Sequence, residues 1–353
     1  MGLLGALLAT NQPQAVSNVI QQHTGVAIEV AADPVARELR DVMLADDAAQ
    51  DEVTGWLHAY DAQPATNQTK EASAELTRRI RARFDVVRER YERFLKQHPD
   101  SARGYLAYGS FLNDTGDEEG AHLQYENSRQ LDPKNPAVWN NLANYYGEHS
   151  PVTKAFEYYA QSIKLNPNEP VYYQNFATTV YLFRKDAKEF YHIGEQEVFD
   201  KALGLYRQAM QLAPDNLVLA TDYAESYYGI RPLRTNDAIA AWSNALNVAH
   251  SDLERQGVEI HLARIKIAAG FFEQASNHLA TVTNAAYADL KNRLYRSLVE
   301  HEYPSTNAEA TVETNLPAKI PVVNLNGDST ATNASVMSSN LFIAPLPSRP
   351  QSP

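Results

Sequence analysis

Residues 139–170 read WNNLANYYGEHSPVTKAFEYYAQSIKLNPNEP, and this stretch decides the fold. Trp139 and Ala143 are four residues apart, a spacing that places both on one side of an α-helix. Ala155 and Tyr159 repeat the same spacing after a turn. Small residues let two helices approach closely, and aromatic rings fill the holes between them. The architecture to which these intervals belong depends on whether they recur elsewhere in the chain.

The same features recur along the chain at fixed intervals. An apolar residue followed two places later by proline occurs at 131–133, 165–167 and 212–214, with offsets of 34 and 47 residues. Alanines ahead of these prolines repeat both offsets at Ala121, Ala155 and Ala202. Aromatic residues repeat at intervals of 34, at Tyr105, Trp139 and Tyr173. A period of this length is typical of proteins built from repeated helical units.

This pattern resembles the tetratricopeptide repeat family, whose unit of about 34 residues is a pair of antiparallel helices. The resemblance implies an all-α fold, an α-solenoid of stacked helix pairs, because one pair cannot bury its own apolar face. The fourth unit departs from the family pattern with Ala220 in place of a bulky residue and His250 in place of proline. The repeats are predicted at 102–135, 136–169, 170–216 with an insertion, 217–252 and 256–289.

Other segments flank this predicted array at 102–289. Apolar residues at helical spacing from Leu76 to Leu95 predict an amphipathic helix within an N-terminal cap at 34–101, after a linker at 61–73. A C-terminal capping helix is predicted at 285–302. The tail at 303–353 has few charges and no helical period, so we expect disorder there.

The composition and charge of the chain exclude or disfavour several classes of protein. The net charge of −12 disfavours nucleic-acid partners, and the absence of cysteine excludes disulfides and thiolate metal sites. No apolar run reaches the roughly 18 residues of a membrane span. In the separate N-terminal segment 1–33, Leu3–Ala9 is apolar without a basic flank and is compatible with the remnant of an export signal. Localisation stays open between the exported, periplasmic side, which we favour, and the cytoplasm.

The resemblance also predicts a binding site. In this family the first helix of each pair lines a concave groove, and positions 5, 6 and 9 of each repeat point into it. Carboxamides both donate and accept hydrogen bonds, so they can bind the backbone of an extended peptide; the alternative is a solvated polar face. Asp222 and Glu225 predict a filter that favours basic or neutral segments. The candidate residues are Asn140, Asn141, Asn144, Gln174, Asn175, Thr178, Asp222 and Glu225.

The family's basic clamp for a carboxylate terminus is disfavoured, because Asn140 stands where lysine is needed. The insertion at 181–200 is rich in aromatic residues and predicts lengthened helices with a short additional one; a binding feature and local packing both stay open. The arginines of 78–94 alternate with acidic residues at helical spacing, which predicts pairs within the helix, with Asp85, Glu89 and Glu92. The acidic stretch 113–120 predicts a turn, with Asp117 as a helix cap, rather than a calcium loop.

No motif for catalysis is present in the sequence. The histidines lack metal-ligand spacing, and there is no phosphate loop or nucleophile elbow. We therefore expect no enzyme activity, no cofactor and no metal. The sequence predicts a scaffold for protein–protein interaction that binds a peptide segment of another protein. The alternative is a self-associating structural component of a larger assembly, such as an envelope complex.

Overall fold

The computed structural model describes residues 33–302, and every regular element in that range is helical. The predicted all-α fold of stacked antiparallel helix pairs is confirmed. The predicted disordered tail at 303–353 and the N-terminal segment up to residue 32 lie outside the described residues. The α-helices of the described part are α1 Pro34–Asp61, α2 Lys70–Gln97, α3 Ala102–Asp114, α4 Glu118–Leu131, α5 Pro136–Glu148, α6 Thr153–Leu165, α7 Pro170–Leu182, α8 Arg184–Tyr191, α9 Glu195–Leu212, α10 Leu217–Ser226, α11 Thr235–Val248, α12 Asp252–Ala268, α13 Phe272–Thr281 and α14 Ala288–Glu302.

Polar caps and prolines set the ends of these helices. Asn135 precedes α5, and its Oδ1 accepts a hydrogen bond from the Ala137 N–H at 3.0 Å, while Pro136 occupies the first helical position. Asp117 caps α4 as predicted, because its Oδ1 accepts from the Gly120 N–H at 3.0 Å. The second helices of the first three repeats end two positions before the repeated prolines, at Leu131, Leu165 and Leu212.

The helices of each repeat pack against each other, and in the third repeat the additional helix α8 lies between the two paired helices in the sequence. Within the repeats, α3 packs on α4, α5 on α6, α7 on α9, α10 on α11 and α12 on α13. The small residues act as the sequence predicted: Ala143 and Ala155 are fully buried, and Tyr159 is only 2% exposed. At Gly109 the approach is closer still, since an added Cβ would lie 2.6 Å from ring carbons of Tyr125. The pairs are therefore fixed by steric fit.

The described helices divide into two compact units, unit 1 up to Pro167 and unit 2 from Asn168. Unit 1 contains α1–α6, and its core is rich in aromatic rings. Unit 2 contains α7–α14, and its core surrounds Trp242, which is fully buried. Large buried residues of the unit 1 core are Phe84, Tyr91, Phe94, Leu106, Phe111 and Leu142.

The insertion at 181–200 contains the predicted short helix, α8, and the start of a lengthened helix, α9, of 18 residues. Ala187 of α8 and Val198 of α9 are fully buried, so the insertion is packed rather than loop-like. At the N-terminal end, the linker is shorter than predicted. Only residues 62–69 separate α1 from α2, and they include a 3₁₀ turn at Ala65–Asn67.

The prediction of ion pairs within the arginine-rich helix α2 is confirmed for one pair, Arg78 with Glu75, and corrected for two other arginines. Arg83 pairs with Glu52 of α1 at 2.7 Å, and Arg88 pairs with Asp117 at the start of α4 at 3.1 Å. The predicted partners Asp85, Glu89 and Glu92 do not form these ion pairs. Because α2 packs on both α1 and α3, its arginines reach acidic groups on other elements.

Candidate functional site: the first-helix faces

We define the first-helix face of each unit as the surface formed by the first helices of its repeat pairs. In unit 1 these helices are α3 and α5, and in unit 2 they are α7, α10 and α12. The eight predicted site residues are therefore divided between the two faces. Asn140, Asn141 and Asn144 lie on α5, Gln174, Asn175 and Thr178 on α7, and Asp222 and Glu225 on α10.

On the face of unit 1, neighbouring side chains engage the three asparagines. Asn140 is only 5% exposed, and its Nδ2 donates to Asn141 Oδ1 at 3.4 Å. Asn144 Oδ1 accepts a hydrogen bond of 2.7 Å from the buried Tyr159 hydroxyl. Asn141 lies beside the hydroxyl of Tyr125. Asn141 and Asn144 keep part of their surface in solvent, whereas Asn140 is a buried residue.

On the face of unit 2, two hydrogen bonds join the predicted residues to their neighbours. Gln174 Nε2 donates to Asp222 Oδ2 at 2.7 Å, which connects α7 directly to α10. The hydroxyl groups of Thr178 and Tyr206 are 2.7 Å apart. Gln174 and Asn175 are both buried, while Thr178 and Asp222 are partly exposed. Gln174, Asp222 and Thr178 are therefore each hydrogen-bonded to a neighbouring side chain.

The two carboxyl groups of this face are held in an environment that disfavours their charge. Burial raises the pKa of Asp222 to about 6, and the hydrogen bond from Gln174 opposes this shift. Burial also raises the pKa of Glu225 to about 7; the nearby Asp222 raises it further and Arg264 opposes it. Near pH 7, Glu225 therefore exchanges between its neutral and ionised forms.

Arg264 is a member of this face that sequence reasoning missed. It lies on α12, is 8% exposed, and its guanidinium carbon is 4.2 Å from the centre of the Tyr228 ring. The Tyr228 hydroxyl lies 3.0 Å from Nδ1 of His261, whose pKa is lowered to about 3 by burial and by Arg264. Counting to position 9 of the 256–289 repeat gives Arg264, so the rule used for the earlier repeats would have found it.

A second missed feature lies in unit 1. The Tyr91 hydroxyl donates to Asp46 Oδ2 at 2.9 Å, and burial raises the pKa of Asp46 to about 7, with a further contribution from Asp114. Asp46 belongs to α1, which precedes the predicted repeats. The repeat pattern therefore contains no position from which the burial of Asp46 could have been predicted.

The described residues were also searched for other kinds of site. Within residues 33–302, no group of three or more His, Asp or Glu side chains is arranged to hold a metal ion. In the same range, no helix is both long and apolar enough to cross a bilayer.

No family model matches the chain. A curated relative, the Photosystem I assembly protein Ycf3 of Cyanophora paradoxa, is 32% identical over 119 residues, which cover 31% of this chain and 67% of the relative. The chain belongs to the tetratricopeptide repeat family. The Ycf3 protein of Rippkaea orientalis is 27% identical over 146 residues, covering 40% of this repeat protein and 84% of the relative.

Among solved structures, YrrB, described as a TPR protein with an unusual peptide-binding site, is 11% identical. The match covers 58% of this chain and 97% of YrrB, with a TM-score of 0.44. As a tetratricopeptide repeat protein, the chain is a scaffold for protein–protein interaction, in a family that is typically non-enzymatic.

Proposed function

We propose that the first-helix face of unit 2 binds an extended segment of a partner protein that carries a lysine or arginine. The observation that carries this proposal is the charge balance on the face. The carboxyl group of Glu225 lies near a second carboxyl, that of Asp222, and near the guanidinium group of Arg264. A cationic side chain from a partner would supply the missing positive charge and would favour the ionised form of Glu225.

A hydroxyl group supplies the second part of the proposed recognition, because Thr178 on α7 is partly exposed and can bond a peptide backbone. On the separate face of unit 1, the carboxamides of Asn141 and Asn144 are also partly exposed and can bond a peptide backbone there. Asn140, Gln174 and Asn175 are buried, and we assign them the supporting role of positioning their neighbours. Gln174 does this directly, because it holds the carboxylate of Asp222.

The experiment selects peptides from a random heptapeptide library on the whole chain and measures the enriched peptides by isothermal titration calorimetry. We expect enrichment of lysine and arginine. The Asp222→Asn, Glu225→Gln double variant should bind the selected peptides at least about tenfold more weakly, which corresponds to about 1.4 kcal/mol.

A control variant with the same net charge is Glu189→Gln, Asp215→Asn, which changes two exposed acidic residues of unit 2. It should bind as the wild type does. Equal loss of affinity in the control and in the Asp222→Asn, Glu225→Gln variant would show that only the overall charge of the chain affects binding. Selected peptides without a basic preference would contradict the proposed partner chemistry.

The alternative of a self-associating structural or assembly component of a larger complex also has one observation in its favour, which bears on assembly and not on self-association. The two relatives with the name Ycf3 are called assembly proteins. We therefore also propose measuring sedimentation velocity of this chain over a hundredfold range of concentration. A single species with a constant sedimentation coefficient at the monomer mass would exclude self-association.

A further inference from the structure

Lys201 is a basic residue whose surroundings are explained neither by the repeat pattern nor by the first-helix face. It lies on α9, next to the short helix α8 that the insertion adds. Its Nζ atom is 4.1 Å from the centre of the Tyr191 ring and 5.9 Å from that of Phe176. The side chain is partly buried, and burial lowers its pKa.

Among the described residues, Lys201 has no carboxylate partner within ion-pair distance. Other basic residues near the insertion do have carboxylate partners. Arg184 of α8 pairs with Glu195, and Arg234 pairs with Asp200, the residue before Lys201. A partly buried cation without a counter-charge has lost hydration that no opposite charge replaces.

The two rings keep this amine in its charged form while leaving donors unused. The face of an aromatic ring attracts a cation within about 6 Å, which favours the ammonium over the neutral amine. A ring accepts no conventional hydrogen bond, however, and an ammonium group has three donors. In a site partly shielded from water, a carboxylate would interact with this group more strongly than at an open surface.

We propose that the Lys201 ammonium is a docking point for a carboxylate from an acidic side chain of a partner protein. This site is separate from the acidic first-helix face of unit 2, and it has the opposite preference for charge. It gives the insertion at 181–200 a role in recognition, because Tyr191 at the end of α8 supplies the nearer ring. The alternative explanation is that Lys201 has only a structural role and stabilises the packing of α9 on α8.

The experiment measures binding of a fluorescein-labelled acetyl-Glu-Glu-Glu-amide peptide to the whole chain by fluorescence anisotropy at low salt. Lys201→Met keeps the length and apolar stem of the side chain but removes the charge, and we expect at least about tenfold weaker binding. Lys201→Arg retains the charge and should bind within about threefold of the wild type.

Lys154→Met is the matched control, because Lys154 lies 4.7 Å from the Tyr146 ring but is exposed. It should leave the affinity for the peptide unchanged. Thermal melting of each variant, followed by circular dichroism, shows whether the fold is retained. A purely structural role predicts a lower melting temperature for Lys201→Met and an unchanged affinity, and that result would overturn the proposal.

A second measurement uses the wild-type chain, so that it does not depend on any variant folding. Acetylation of each lysine by an amine-reactive ester is followed by mass spectrometry, with the peptide or with succinate present. We expect the peptide to slow acetylation of Lys201 and not that of Lys154. Protection by succinate alone, or no protection by either, would overturn the assignment to a partner's acidic side chain.

Discussion

Glu225 connects the electrostatics of the first-helix face to the stability of the fold. Its pKa is raised from 4.5 to about 7 in the folded chain, so folding favours the protonated form. The stability that comes from this proton is fully present below pH 4.5 and is lost as the pH rises through 7. Glu225→Gln imitates the protonated form, and we expect it to raise the free energy of unfolding by about 1–2 kcal/mol at pH 8.

The measurement for Glu225→Gln is urea unfolding at pH 4.5 and at pH 8. At pH 4.5 the variant and the wild type should have nearly equal stability, because Glu225 is then largely protonated in the folded chain. Glu189→Gln, which changes an exposed glutamate of α8, serves as the control and should change stability by less than about 0.5 kcal/mol at either pH. A Glu225→Gln variant that is less stable at pH 8 would show that the ionised carboxylate stabilises the fold.

At the scale of the helix, replacing a glycine with alanine tests how closely the paired helices approach each other. In α3, a Cβ at Gly109 would lie 2.6 Å from ring carbons of Tyr125 on the paired helix α4. Tyr125 is a buried ring that cannot move without disturbing the core, so Gly109→Ala should destabilise the chain by about 1–3 kcal/mol. The loss should be visible as a lower melting temperature.

Gly204 in α9 offers the opposite case. It also lies inside a helix, but an added Cβ there has no neighbouring atom within 4 Å. Because alanine restricts the unfolded chain more than glycine does, Gly204→Ala should stabilise the protein by about 0.5–1 kcal/mol. Equal effects of the two substitutions would contradict the view that close approach of α3 and α4 explains Gly109.

The comparison of these helices with the sequence shows which information a repeat pattern contains. Ala155 and Tyr159 match the pattern of the repeat family, and the helix pair that this resemblance predicted is correct. The match is informative because steric fit between helices restricts residue size at a given position. The cap at Asp117 was predictable for a similar local reason. Periodicity gives the face of a helix but not the partner across it, and so neither the bond from Gln174 to Asp222 nor the reach of Arg88 to Asp117 could be derived.

At the scale of the whole molecule, both units contain carboxyl groups whose pKa is raised toward neutral pH. Two of them are the partly buried Asp46 in unit 1 and Glu225 in unit 2, both with a pKa of about 7. Between pH 6.5 and 8 these two groups hold more protons in the folded chain than in the unfolded chain, so their contribution to the free energy of unfolding falls as the pH rises. His261, with a pKa of about 3, stays neutral in the folded chain throughout this range.

The two carboxyls belong to different units and share no partner, so their effects should add. Asp46→Asn keeps an oxygen that can accept from the Tyr91 hydroxyl, and Glu225→Gln keeps the shape of its side chain. We expect each variant to reduce the loss of stability between pH 6.5 and pH 8, and the double variant to reduce it by the sum within about 0.5 kcal/mol. Urea unfolding at the two pH values measures all four chains. A double variant that departs from the sum by clearly more than about 0.5 kcal/mol would contradict the independence of the two carboxyls.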